Sequence, residues 1–193
     1  AEALLRDFPE LDSVCRHEAE ETLVELVAAL ETGTSLEAIA GLAVREGGVP
    51  HLTPMRRPPE LESLPVPARP GAPRRCFGHA LAPLVGSRGC YAQCSFCCIA
   101  AWHEQVLPGK RYRLRPVEHV ADEMVALQRE RGAEIFIFHD DNFFVPGHRR
   151  NVERFSALAD AIAARGLTRP GSRRRPHPRV GGLGQHGCCE GPR

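Results

Sequence analysis

The sequence predicts an α/β chain in two units: a short one over residues 1–52, and the opening βα units of a parallel sheet over residues 80–167. Three observations carry this expectation. Within Glu18–Leu30, Leu23, Leu26, Val27 and Leu30 repeat at the i, i+3, i+4, i+7 spacing of one helix face. Ile135 to Phe138 is an unbroken apolar run, as expected of a strand buried on both faces of a parallel sheet. Strand-like and helix-like segments alternate through residues 80–167, which is the pattern of βαβ units.

The elements follow in order. Leu11–Cys15 reads as a short strand, and the helix after it stops at Gly33. Thr34 with Glu37 forms a capping box that opens a second, shorter helix. Leu42–Arg45 and Val49–Leu52 flank Gly47-Gly48 as the arms of a hairpin, with Pro50 confining the second arm to an edge. Residues 53–79 hold seven of the 17 prolines, so they are expected to be extended and semi-rigid, an interdomain linker. Leu84–Ser87 is the expected first strand of the second unit and leads straight into a cysteine-rich loop. Pro116 marks a helix start, where its missing N–H costs nothing. Val117, Val120, Ala121, Met124 and Val125 make that helix's apolar stripe. Val152, Phe155, Ala159 and Ile162 mark a further helix that ends near Gly166. In residues 168–193, sixteen of the twenty-six residues are Arg, Gly or Pro. No core can be built from these, so a disordered or frameshifted tail is expected.

Composition excludes some functions. The net charge is +1, so no global field draws the chain to nucleic acid or to an anionic membrane. Lys110 is the sole lysine among 25 basic residues, and with abundant Ala, Gly and Pro this reads as the coding bias of a GC-rich genome. Arg111, Arg113 and Arg115 therefore read as one solvated face of an extended segment, and Arg173–Arg175 as composition alone. No run of about 18 apolar residues exists, so no membrane partner is expected. The acidic, amphipathic start is unlike a targeting peptide, and a first residue Ala1 fits a fragment as well as a processed chain. Of eight cysteines, Cys90, Cys94, Cys97 and Cys98 fall within nine residues. Neighbours that close cannot staple distant elements, which favours metal binding in a reducing, cytoplasmic compartment.

The informative stretch is CYAQCSFC, Cys90 to Cys97, a Cys-x3-Cys-x2-Cys preceded by Gly89. Three thiolates from one compact loop can hold three irons of a cubane cluster and leave the fourth iron open to a small molecule. With the aromatic Phe96 before its last cysteine, the motif resembles the radical S-adenosylmethionine (SAM) superfamily. HEAEETLVEL, LESLPVPAR, RYRLRPVEHVADEM and FIFHDDNFF narrow the resemblance to the subgroup with an N-terminal cobalamin-binding domain, over about residues 4–167. The resemblance implies the C-terminal remnant of a Rossmann-like cobalamin-binding domain, followed by the first βα units of a partial (β/α) barrel. It implies a 4Fe–4S cluster on Cys90, Cys94 and Cys97, with Phe96 along the SAM adenine. It also implies reductive cleavage of SAM to a 5′-deoxyadenosyl radical, serving methyl transfer or ring formation on a small-molecule substrate. An electron donor such as ferredoxin or flavodoxin would supply the reducing equivalent. Cobalamin belongs to the family, but its Asp-x-His-x-x-Gly signature is absent from these residues, so this chain is not expected to bind it. The likeness stops after Gly166, which leads us to expect a truncated or frameshifted fragment.

Other readings stand beside these. A zinc site completed by His103 or Cys188 would use the same cysteines without the usual spacing. Cys98 should diverge from Cys97 and be a packed thiol. Asp140-Asp141-Asn142 follows a buried strand at the carboxyl end, where parallel α/β sheets place ligands. Asp141 and Asn142 thus face the SAM pocket, or the motif is a polar strand-to-loop transition. His17, Glu18 and Glu20 read as acidic decoration of a helix start. The competing function is an inactive fragment or a small zinc or iron–sulfur module.

Overall fold

A computed structural model describes residues 1–106 and 108–167. The expectations for residues 168–193, Cys188 and Cys189 included, lie outside the described residues. The fold is mixed α/β, as the sequence predicts.

The first unit opens with a helix that the sequence reading did not anticipate, α1 (Glu2–Asp7), whose Leu5 is wholly buried. Strands β1 (Ser13–Cys15), β2 (Leu42–Glu46) and β3 (Val49–Leu52) form an antiparallel sheet in that order. Glu46 pairs with Val49, so Gly47-Gly48 is a two-residue turn with both φ positive, and Pro50 sits on the edge strand as expected. Helix α2 (Glu20–Thr32) covers the sheet and ends at a left-handed Gly33. Its Leu26 and Ala29 pack with Ile39, Leu42 and Val44.

Two local expectations need correction. The packed face of α2 is Thr22, Leu26 and Ala29, while Leu23, Val27 and Leu30 face solvent. The hydroxyl of Thr22 donates to the Ala40 carbonyl at 3.1 Å, and a Cβ on Gly41 would fall 2.7 Å from that hydroxyl oxygen. The close approach of small groups turns the helix and carries its larger apolar residues outward. The second helix is only a single 3-10 turn (Leu36–Ala38), capped by Ser35, whose Oγ accepts from the Glu37 N–H at 3.3 Å.

The proline-rich segment is pinned along its length. Arg56 pairs with Glu21 and Glu25, Leu61 is buried, and Arg69 pairs with Glu123 at 2.5 Å. It runs into a hairpin of β4 (Arg75–Cys76) and β5 (His79–Leu84).

In the second unit, β5 pairs in parallel with β8 (Ile135–Phe138), Leu81 opposite Ile135 and Leu84 opposite Phe138. Helix α4 (Val117–Arg131) lies between them in sequence, starts after Pro116 and stops at a left-handed Gly132. Ala82, Leu84, Val120, Met124, Leu127 and Ala133 form the core, with Phe136, Phe138, Leu158 and Ile162 against it. Strand β8 is only partly buried, Ile137 being exposed. Helix α5 (His148–Ala164) packs Leu158, Ala161 and Ile162 inward, while Val152 lies outside.

The strand leading to the cysteines also differs from expectation. Strand β5 ends at Leu84, the chain breaks at Val85-Gly86, and Ser87–Gly89 forms a new strand, β6. That strand pairs antiparallel with β7 (Tyr112–Leu114). The cause is Asp140, whose Oδ1 takes the N–H groups of both Gly86 and Ser87 at 2.7 Å, so the ladder with β8 cannot continue. Among the described residues no helix is long and apolar enough to cross a membrane.

Candidate metal centre

Strand β6 delivers the chain to the cysteine loop through Gly89, at φ +82°. A Cβ there would fall 1.9 Å from the Arg111 carbonyl oxygen, so only glycine fits under β7. Cys90 is half-buried; Cys94, Cys97 and Cys98 are exposed. The Cys97 N–H donates to the Cys94 carbonyl at 3.1 Å, which folds the two into one tight turn. Helix α3 (Ile99–Glu104) then leaves the loop, with Cys98 at its N-cap and the Trp102 N–H donating to the Cys98 carbonyl at 2.8 Å. Cys98 is exposed, not packed: an N-cap position holds its backbone, not its thiol.

The Cys90 sulfur has two donors, the Ala92 N–H at 3.4 Å and the Asn142 side-chain amide at 3.5 Å. Both donors hold the sulfur in place at the mouth of the loop. Phe96 is 91% exposed, its ring free on the loop surface. Among the described residues no three His, Cys, Asp or Glu side chains are gathered as tightly as a bound metal requires. What fits the cluster is the donor set, three thiolates on one short loop.

Asp140-Asp141-Asn142 follows β8 and clasps the loop's incoming strand. Asp140 holds Gly86 and Ser87 as described. The Asp141 Oδ2 accepts from the Gly89 N–H at 3.1 Å and lies 3.6 Å from the His103 Nε2. Asn142 reaches Cys90 with its side chain, and its carbonyl accepts from the Ser87 and Tyr112 hydroxyls at 3.1 and 3.2 Å. Three consecutive residues thereby fix Gly86 through Cys90.

A second cluster behind the loop escaped the sequence reading. Glu18 precedes α2 and does not decorate its start. Its carboxylate is 6% exposed and meets Arg88 at 2.5 Å, Arg113, and the His103 Nδ1 at 3.8 Å. Arg88 also pairs with Glu20 at 2.6 Å. Arg113 lies in β7 and Arg111 and Arg115 flank it, and the three are not solvated: they pair with Glu18, Glu104 and Glu123 respectively. Burial alone would raise Glu20, yet the Arg88 hydrogen bond and charge hold it below the ordinary carboxylate range. Burial pulls His103 below the usual histidine value, against the opposing charges of Glu18 and Asp141. Three alternating arginines, each in need of a carboxylate partner, were the available signal.

No family model matches the chain. An uncharacterized methyltransferase of Pyrococcus horikoshii is 34% identical over 146 residues, 74% of this chain and 31% of that protein. The anaerobic magnesium-protoporphyrin IX monomethyl ester cyclase of Synechocystis is 28% identical over 153 residues, 72% of this chain and 28% of the cyclase. The chain thus spans less than a third of the length of the curated relatives it matches. Among solved structures, the radical SAM methyltransferase TsrM of Kitasatospora setae, with tryptophan and a SAM analogue bound, superposes with a TM-score of 0.56. The identity is 23%, over 85% of this chain and 33% of TsrM. The apo form of the cobalamin-dependent SAM radical enzyme OxsB gives 0.53 at 17% identity, over 81% of this chain and 22% of OxsB.

The fold defined here is that of the radical SAM methyltransferases over the described residues. The likeness in sequence is to a methyltransferase and a cyclase, and the likeness in fold is to radical SAM enzymes, each over less than half of the other protein's length.

Proposed function

We propose that this chain binds a 4Fe–4S cluster through Cys90, Cys94 and Cys97 and takes part in the reductive cleavage of SAM. The observation that carries this reading is the three-cysteine loop itself, set at the end of a strand that Asp140, Asp141 and Asn142 hold in place. Such a cluster, when bound, supplies the electron that cleaves the sulfonium.

The chain's own residues do the rest. Asn142 and the Ala92 N–H donate to the Cys90 sulfur and orient it. Phe96 offers an exposed ring face of the kind that stacks on adenine. Asp141 and Asn142, which touch Gly89 and Cys90, are the polar groups we assign to the SAM side of the loop. A cavity of about 720 Å³ between α2, residues 61–67 and Arg88 is of the size of small-molecule sites. The thiols require a reducing compartment, which we take to be the cytoplasm, and a one-electron protein donor such as ferredoxin or flavodoxin. Methyl transfer is the favoured reaction class, because both TsrM and the Pyrococcus relative are named methyltransferases. The Synechocystis cyclase favours ring formation as a second reading.

Anaerobic reconstitution with iron and sulfide tests the proposal. It should give a brown protein with about four irons per chain. Alanine at Cys90, Cys94 or Cys97 should abolish uptake, and alanine at Cys15, Cys76 or Cys98 should not. Stoichiometric zinc without iron would overturn the reading, and equal loss from Cys98→Ala would overturn the ligand assignment.

A further inference from the structure

We infer that Glu18, which lies in the first unit and far in sequence from the cysteines, is a positioning residue that locks both stems of the cysteine loop. The inference rests on the cluster reading above. Arg88 stands on β6, two residues before Cys90, and His103 on α3, the helix that leaves the loop. Both carboxylate oxygens of Glu18 are engaged. Oε2 meets the incoming strand at Arg88 (2.5 Å), while Oε1 meets the outgoing helix at His103 (3.8 Å) and the β6 partner strand at Arg113. No other carboxylate among the described residues pairs with β6, β7 and α3 together.

Two further contacts make the tie specific to the loop. The His17 ring packs on Trp102 of α3, centroids 4.6 Å apart. From His103 the network continues to Asp141, which accepts the Gly89 N–H directly before Cys90. Arg113 is 4% exposed, and its other partner is the Pro59 carbonyl at 2.9 Å, so losing Glu18 leaves a buried cation without a counter-charge. The stems would then separate to admit water, and the spacing of the thiolates would drift with them.

Trp102, the chain's one tryptophan, sits between His17 and His103 and reports this contact by its emission. The test compares the full chain with Glu18→Gln, Glu18→Asp and Val120→Ala. Glu18→Gln should shift Trp102 emission in the metal-free chain and, after reconstitution, release iron to a chelator about ten- to a hundredfold faster. Glu18→Asp should recover part of both effects. Val120→Ala weakens the core away from the loop and should leave the iron-release rate near that of the unaltered chain. If Glu18→Gln does not fold, Arg88→Lys, which loosens one tie of three, should show the same two changes at smaller size. Unaltered iron release in a folded Glu18→Gln chain, or equal acceleration by Val120→Ala, overturns the inference. If the unaltered chain takes up no cluster, the cluster reading fails, and emission in the metal-free chains still decides whether Glu18 fixes α3. An unchanged spectrum in Glu18→Gln then overturns the inference.

Discussion

From Cys94 to Cys98 the side chains stand in solvent, held by one backbone turn; at the stems of the loop, Glu18, His103 and Arg113 are almost wholly buried and bound by charge. The two regions answer different requirements. If the cysteines gather around a cluster as proposed, their side chains must be able to reorganise, and the exposed turn leaves them free to do so. The strand and helix that carry them must not move, because every degree of freedom frozen on binding weakens it. The frame accordingly draws on three distant parts of the chain: residues 17–20, β7 and the segment after β8.

Substitutions can break this contrast, and the largest effect is expected in the frame. Gly89→Ala forces a side chain into a left-handed backbone, costing about 1–3 kcal/mol, and against the Arg111 carbonyl, about 1–3 kcal/mol more. Urea denaturation should show a loss near 4 kcal/mol, with iron uptake abolished even at temperatures where the chain is folded. Leu84→Ala, beneath the frame in the core, should cost about 2–5 kcal/mol by the same measurement. Cluster uptake should persist wherever that variant is folded.

Acidification should separate the regions more gently. His17 and His103 both sit below the ordinary histidine value, in each case first because of burial. The unfolded chain then takes up these protons more readily than the folded one. Their contribution is fully present above about pH 6.5 and is lost as the pH falls through the histidine range. Urea midpoints followed by Trp102 emission should decrease over that interval, and His103→Gln should flatten the dependence. A midpoint constant across the interval would show that the buried histidines carry no linkage. The smallest effect belongs to the loop: Phe96→Ala, removing an exposed ring, should change stability by less than about 0.5 kcal/mol.

Much of this was legible in the sequence, and the failures have physical causes. The Gly47-Gly48 hairpin, the Gly33 helix stop, the helix start after Pro116 and β8 all rest on local rules, and each lies where those rules put it. The packed face of α2 was missed because two overlapping stripes share Leu26, and only the close approach of Gly41 to Thr22 selects between them. The break between β5 and β6 was missed because Asp140, more than fifty residues away in sequence, terminates the strand with its side chain. The Glu18 cluster pairs residues 70 and 95 positions apart, and no local periodicity encodes such a pairing. Local chemistry places the cysteines; long-range charge places their frame.

The central claim is that three cysteines hold the cluster and leave one iron open to SAM. Electron paramagnetic resonance of the reconstituted, dithionite-reduced chain tests it directly. Adding SAM should change the g-values of the reduced cluster, and alanine at Cys98 should leave that change intact. A cluster signal that SAM does not alter, or one that becomes responsive only after Cys98 is removed, would contradict the account.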